Sequence, residues 1–161
     1  MESDYHKNIT KAIVEFAGEL ERFVDIGTGK EPLRIPHPTE KRSSIFYRPD
    51  VYFSTKSNKK YIFEILDSEL KEQNLIIADA IQSFLVPNSF KVFFIMPPCD
   101  DETFDNVYDS VAVIWRTLVY ITNKKYKLPR DVFLYEITKN DSRSIKKIKK
   151  QFKYFSKKDK W

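Results

Sequence analysis

Residues 91–98, KVFFIMPP, form a short, nearly uninterrupted apolar run closed by two prolines. A run of that length suits a strand covered on both faces. Such covering requires helices above and below a sheet, so the chain is expected to be α/β.

The flanking sequence supplies those helices. Ile9, Ile13, Phe16, Leu20 and Phe23 recur at steps of three and four, which predicts an amphipathic helix over 6–24 ending near Gly27. The stretch 28–44, TGKEPLRIPHPTEKRSS, is polar with three prolines and suits a loop holding at most a short edge strand at Leu33–Ile35. IFYRPDVYFS (45–54) and KKYIFEIL (59–66) are rich in aromatic and β-branched residues and flank TKSN, a β-hairpin pattern. Ser68 is placed to cap a helix running to about Leu85. Phe104, Val107, Val111, Ile114, Leu118 and Ile121 mark a long helix, and DVFLYEIT (131–138) a further strand. The order α, β-hairpin, α, β, α, β, α predicts an α/β sandwich around a mixed sheet, with an antiparallel hairpin and a right-handed parallel crossover.

A chain of 161 residues suits one domain, here 1–140, followed by a tail at 141–161. Ile145, Ile148, Phe152 and Phe155 make that tail a basic amphipathic helix. It carries nine Lys/Arg against two Asp, so the net charge of +5 for the whole chain leaves the rest at −2. A positive segment of this kind favours a polyanion, unless it is simply a solvated helix face.

Several chemistries find no support. Cys99 is the sole cysteine, which excludes an intramolecular disulfide and a thiolate zinc cluster and suits a reducing, cytoplasmic setting. No apolar stretch approaches the roughly 18 residues of a membrane span, and MESDYHKN lacks the character of a signal peptide, so no membrane partner is expected. The two histidines, His6 and His37, stand far apart and give neither a zinc-ligand repeat nor a Ser/His/Asp triad. IGTGKE (26–31) imitates the end of a phosphate-binding P-loop, but Val24 and Glu31 occupy the positions of the required Gly and Ser/Thr.

The hairpin carries the most informative pair. Directly opposed residues of an antiparallel hairpin have numbers of constant sum, and a three-residue turn centred on Ser57 makes that sum 114. Asp50 is then opposite Glu64, with Cβ atoms about 5 Å apart on one sheet face, close enough for two carboxylates to share a divalent cation. Alone, two such anions would repel each other. The competing reading makes Asp50 a turn residue after Pro49 and Glu64 a salt-bridged strand residue.

RPD followed by a hairpin and YIFEIL resembles the PD-(D/E)xK nucleases, the restriction-endonuclease-like superfamily that includes Holliday-junction resolvases and many repair nucleases. The resemblance implies an αβββαβ core, with a mixed sheet flanked by helices, and a DNA endonuclease dependent on Mg2+ or Mn2+. Its metal ligands would be Asp50 and Glu64, completed by a carboxylate on the first helix. Glu19 suits that role better than Glu15, lying about 80° rather than about 120° from the centre of the apolar stripe.

The lysine expected two positions after the acid is replaced by Leu66. Lys71, in the opening turn of the next helix, is the candidate substitute, with Lys56 farther up the hairpin and Gln73 able to orient water without charge. Asp67, Ser68 and Glu69 suit the capping of that helix, Asp67 pointing away from the face of Glu64. Lys41 and Arg42, with Lys146, Lys147, Lys149 and Lys150 of the tail, would grip phosphates of DNA, branched or otherwise structured forms included. A homodimer would supply two sites for two strands. The alternative is a nuclease-like fold without catalysis, serving as a nucleic-acid-binding or assembly module.

Overall fold

A computed structural model describes residues 2–20, 23–30, 32–35, 45–122, 128–138, 146 and 149–150. The first helix, α1 (Asp4–Gly18), begins where the Ser3 hydroxyl accepts a hydrogen bond from the His6 N–H at 3.1 Å. Tyr5, Ile9, Ile13, Phe16 and Ala17 are its buried stripe. It stops well short of the expected residue 24, because Phe23 belongs to a strand, β1 (Phe23–Thr28). Phe23 continues the helical spacing from Leu20 by coincidence, which hides the change of element. Gly27 is therefore not a helix terminator: it pairs with Tyr52 across the strands, and a Cβ there would collide with the Tyr52 ring.

The segment 45–54 is two strands rather than one. β2 (Leu33–Ile35) pairs with β3 (Ile45–Tyr47) in a separate antiparallel ribbon, and β4 (Val51–Thr55) enters the main sheet after Pro49, which has no N–H to offer a ladder. β4 and β5 (Lys60–Ile65) form the expected hairpin with a register sum of 114, Val51 opposite Phe63 and Ser54 opposite Lys60. Its turn is closed by a Thr55 N–H bond to the Lys59 carbonyl, with Asn58 at a φ of 61°.

After β5 a 3-10 turn (Ser68–Lys71) precedes α2 (Gln73–Leu85), capped at Glu72, so the helix starts four residues later than a cap at Ser68 would set it. β6 (Ser89–Met96), α3 (Asp101–Thr122) and β7 (Asp131–Glu136) follow. The strand order is β1-β4-β5-β6-β7, antiparallel through β5 and parallel from β5 to β7, so the sheet is mixed and α/β as expected. All of β6 is buried, which explains its apolar run; Lys91, 1% exposed, lies with its ammonium 5.2 Å from the Phe90 ring and 5.9 Å from that of Tyr61.

Alternation along β4, β5 and β6 divides the core in two. Val51, Phe53, Phe63, Ile65, Phe93 and Ile95 pack with α1, and Phe53, Phe63, Phe93 and Phe133 continue across that face at ring separations of 5.0, 4.6 and 4.9 Å. Tyr52, Ile62, Leu66, Val92 and Phe94 pack with α2, α3 and the β2–β3 ribbon. Among the described residues, no helix is long and apolar enough to cross a membrane.

Candidate functional site

Asp50 occupies the bend between Pro49 and the first residue of β4. There β4 has not yet joined the ladder, so the β5 main chain beside it needs another acceptor. Asp50 supplies it: Oδ2 accepts the Ile65 N–H at 2.7 Å. Its other oxygen, Oδ1, lies 2.9 Å from Nε2 of His6 in the first turn of α1. The side chains are 25% and 16% exposed, so the pair is partly shielded from water without being sealed off.

The first turn of α1 is anchored on both sides of this pair. The Ser3 hydroxyl donates to Oδ2 of Asp67, just beyond β5, and the Tyr5 hydroxyl donates to the Ile137 carbonyl beyond β7 at 2.8 Å. Burial, with the Asp67 charge added, holds the Tyr5 phenol well above its ordinary pKa, so it remains a donor. These bonds fix α1 across the carboxyl ends of the parallel strands, where α/β sheets place their ligands.

Glu64 stands near the same end of β5. The paired ladder of β4 and β5 ends at Val51 opposite Phe63, one step short of Asp50 and Glu64. The side chains are engaged differently. Glu64 is 4% exposed and alternates with Phe63 and Ile65, so it shares the sheet face of Ile62 and Leu66, whereas the Asp50 carboxylate bonds to α1, which packs on the opposite face. Among the described residues no three His, Cys, Asp or Glu are grouped closely enough to hold a metal ion.

The remaining candidates are dispersed. Glu19 sits at the far end of α1, thirteen residues beyond His6 or about 20 Å along the axis. Its Oε1 lies 3.6 Å from Nζ of Lys149, which also sits over the Phe16 ring at 5.6 Å. Lys71 closes the 3-10 turn and is exposed, and Lys56 is at the hairpin tip. Gln73 donates to the Ser110 hydroxyl at 2.9 Å. Leu66 is 1% exposed against Ile76 and Ala80 of α2, a site shaped for an aliphatic side chain. Lys146 and Lys150 are helical, while Lys41, Arg42 and Lys147 lie outside the described residues.

Comparison with protein-family models, curated proteins and solved structures found no match. The site is therefore read from its own geometry. His6 belongs to no ligand repeat, because its partner Asp50 comes from a bend 44 residues away. A signal was present: His6 precedes Ile9 by three residues and Ile13 by seven, which places an imidazole on the inward stripe of the helix.

Proposed function

We propose that the protein is a metal-dependent phosphodiesterase acting on DNA, built on a restriction-endonuclease-like αβββαβ core. The observation that carries this reading is that Asp50, in the bend at the entry to β4, and Glu64, near the carboxyl end of β5, stand one step beyond the last paired residues of the hairpin. The order α1, three antiparallel neighbours β1-β4-β5, then α2 and a parallel β6 supports the same reading.

Each carboxylate taken singly is a donor of the type a hard divalent cation takes. Asp50 and Glu64 offer carboxylate oxygens, and each Asp50 oxygen keeps a lone pair after accepting one hydrogen bond. On this reading Asp50 and Glu64 would have to converge on one Mg2+ or Mn2+, which would activate water and offset charge developing on phosphate, whereas in the structure their side chains are engaged toward different sheet faces. The chain's own groups do the rest. His6 and the Ile65 N–H orient the Asp50 carboxylate, while Lys71 and the tail lysines would supply positive charge to more distant stretches of the phosphate backbone.

The test is cleavage of plasmid, single-stranded and branched DNA with Mg2+ or Mn2+, using Asp50→Asn and Glu64→Gln as controls. Metal-dependent cleavage lost in both variants supports the enzyme. Cleavage indifferent to both would end it.

A second reading is favoured by two observations: both Asp50 oxygens already accept protein donors, and the position of the expected lysine is filled by buried Leu66. In that reading the fold binds nucleic acid without cutting it. DNA binding without cleavage under every metal condition is its signature.

A further inference from the structure

A cleft of about 410 Å3 lies between α1 and the turn that follows β1, with Asp50 and His6 at one end. Lys7 and Lys11, one helical turn apart, line the α1 wall, and Lys30 lines the wall of the turn. We propose that this cleft seats one nucleotide of a single-stranded nucleic acid, its phosphate held by Lys7, Lys11, Lys30 and the Thr10 hydroxyl, and its backbone leading to Asp50. The proposal deepens the nucleic-acid reading and rests on it, but it holds whether or not the strand is cut.

Volume is the first argument. Pockets for small ligands span about 300–1,000 Å3, so this cleft accepts a single nucleotide unit and not a duplex. The second is an unsatisfied group. Thr10 lines the cleft, and its buried Oγ1 has no hydrogen-bond partner among the described residues, a costly arrangement unless a small rotation lets a ligand supply an acceptor.

Charge placement is the third argument. Among the lining residues the three lysines are matched in number by Glu2, Glu15 and Asp50, so the positions of the lysines rather than an excess of charge would select a ligand. Glu15 lies 3.9 Å from Lys11 in an exposed pair, and Asp50 is bonded to His6 and Ile65. A ligand phosphate displaces only the Lys11–Glu15 pair, of a kind that contributes little at a surface. The lysines then act as point charges on a phosphate rather than as a general anion trap.

The test is fluorescence anisotropy of a 5′-labelled single-stranded oligonucleotide with the full chain in EDTA, so that cleavage plays no part. The double variant Lys7→Ala, Lys11→Ala is expected to weaken binding at least tenfold and to flatten the slope of log K against log salt by about 1.4 for two lost phosphate contacts. Thr10→Val removes a hydroxyl with no partner among the described residues, so its Tm should be unchanged or higher while binding weakens severalfold. Competition by unlabelled duplex should be weaker than by single strand. A free mononucleotide competing as well as the strand would make the cleft a site for nucleotides rather than for a strand, and so overturn the proposal. It is equally overturned if the lysine variant keeps its affinity and salt slope, or if Thr10→Val binds like the parent protein. Loss of cleavage with intact strand binding would sink the enzyme reading alone.

Discussion

His6 Nε2 lies 2.9 Å from Asp50 Oδ1, joining the first turn of α1 to the bend that opens β4. Through its other oxygen, 2.7 Å from the Ile65 nitrogen, Asp50 also holds the end of β5. One carboxylate thus ties three elements together at the candidate site.

That double duty separates two substitutions of Asp50. Asp50→Ala leaves the Ile65 N–H and the imidazole without their acceptor and is expected to cost about 1–3 kcal/mol. Asp50→Asn keeps an amide oxygen and should cost less while removing the anionic ligand. Urea unfolding of both variants checks the order. Equal stabilities would mean that the carboxylate has no structural role.

Glu64→Gln preserves side-chain volume at a site that is 4% exposed, so the fold should survive. If Glu64 serves the chemistry, metal-dependent cleavage should fall at least about 100-fold, by analogy with the loss of other electrostatic groups. A circular-dichroism melt beside the cleavage assay separates loss of function from loss of fold.

Leu66→Lys installs the lysine expected from the nuclease resemblance. Because Leu66 is 1% exposed among apolar neighbours, the variant should lose on the order of 3 kcal/mol through a buried ammonium. A variant as stable as its parent, with faster cleavage, would show instead that the ammonium reaches Glu64 along the shared strand face.

Gly27→Ala places a methyl group against the Tyr52 ring, and the collision should cost about 1–3 kcal/mol. Adding Tyr52→Leu should recover part of that loss, since the two positions are directly paired across β1 and β4. Additive losses in the double variant would rule out the collision as the cause.

Asp100 caps α3, accepting from the Thr103 N–H and the Thr103 hydroxyl, each at 2.8 Å. The N–H bond first, then the hydroxyl, holds its carboxyl below the usual carboxylate range. The folded pKa is therefore depressed: the contribution is complete above the unfolded value and is lost as pH falls through the folded one. Asp100→Asn retains a cap without the titration. Urea midpoints between about pH 5 and pH 2 should fall more steeply for the parent than for the variant.

Local patterns made much of the architecture legible. The hairpin register follows from an odd-length turn between two short strands, and β6 follows from an apolar run too short for a helix and too continuous for a half-exposed strand. β1 was hidden because Phe23 fits the helical spacing, and the split of 45–54 because its aromatic composition reads across Pro49. In both places short-range pattern is ambiguous and long-range pairing decides.

By itself the sequence determined the α/β class, the order of most elements and the register of the β4–β5 hairpin, since each depends on spacing along the chain. Only the tertiary structure decided where the side chains are used. Whether Asp50 meets a metal, a main-chain N–H or an imidazole depends on how α1 lies across the strand ends. That placement is fixed by Ser3 with Asp67 and by Tyr5 with Ile137, residues separated by 64 and 132 positions. No local periodicity encodes contacts at that range, so although spacing sets His6 on the inward stripe of α1, its pairing with Asp50 and the cleft beside it become visible only once the sheet is assembled.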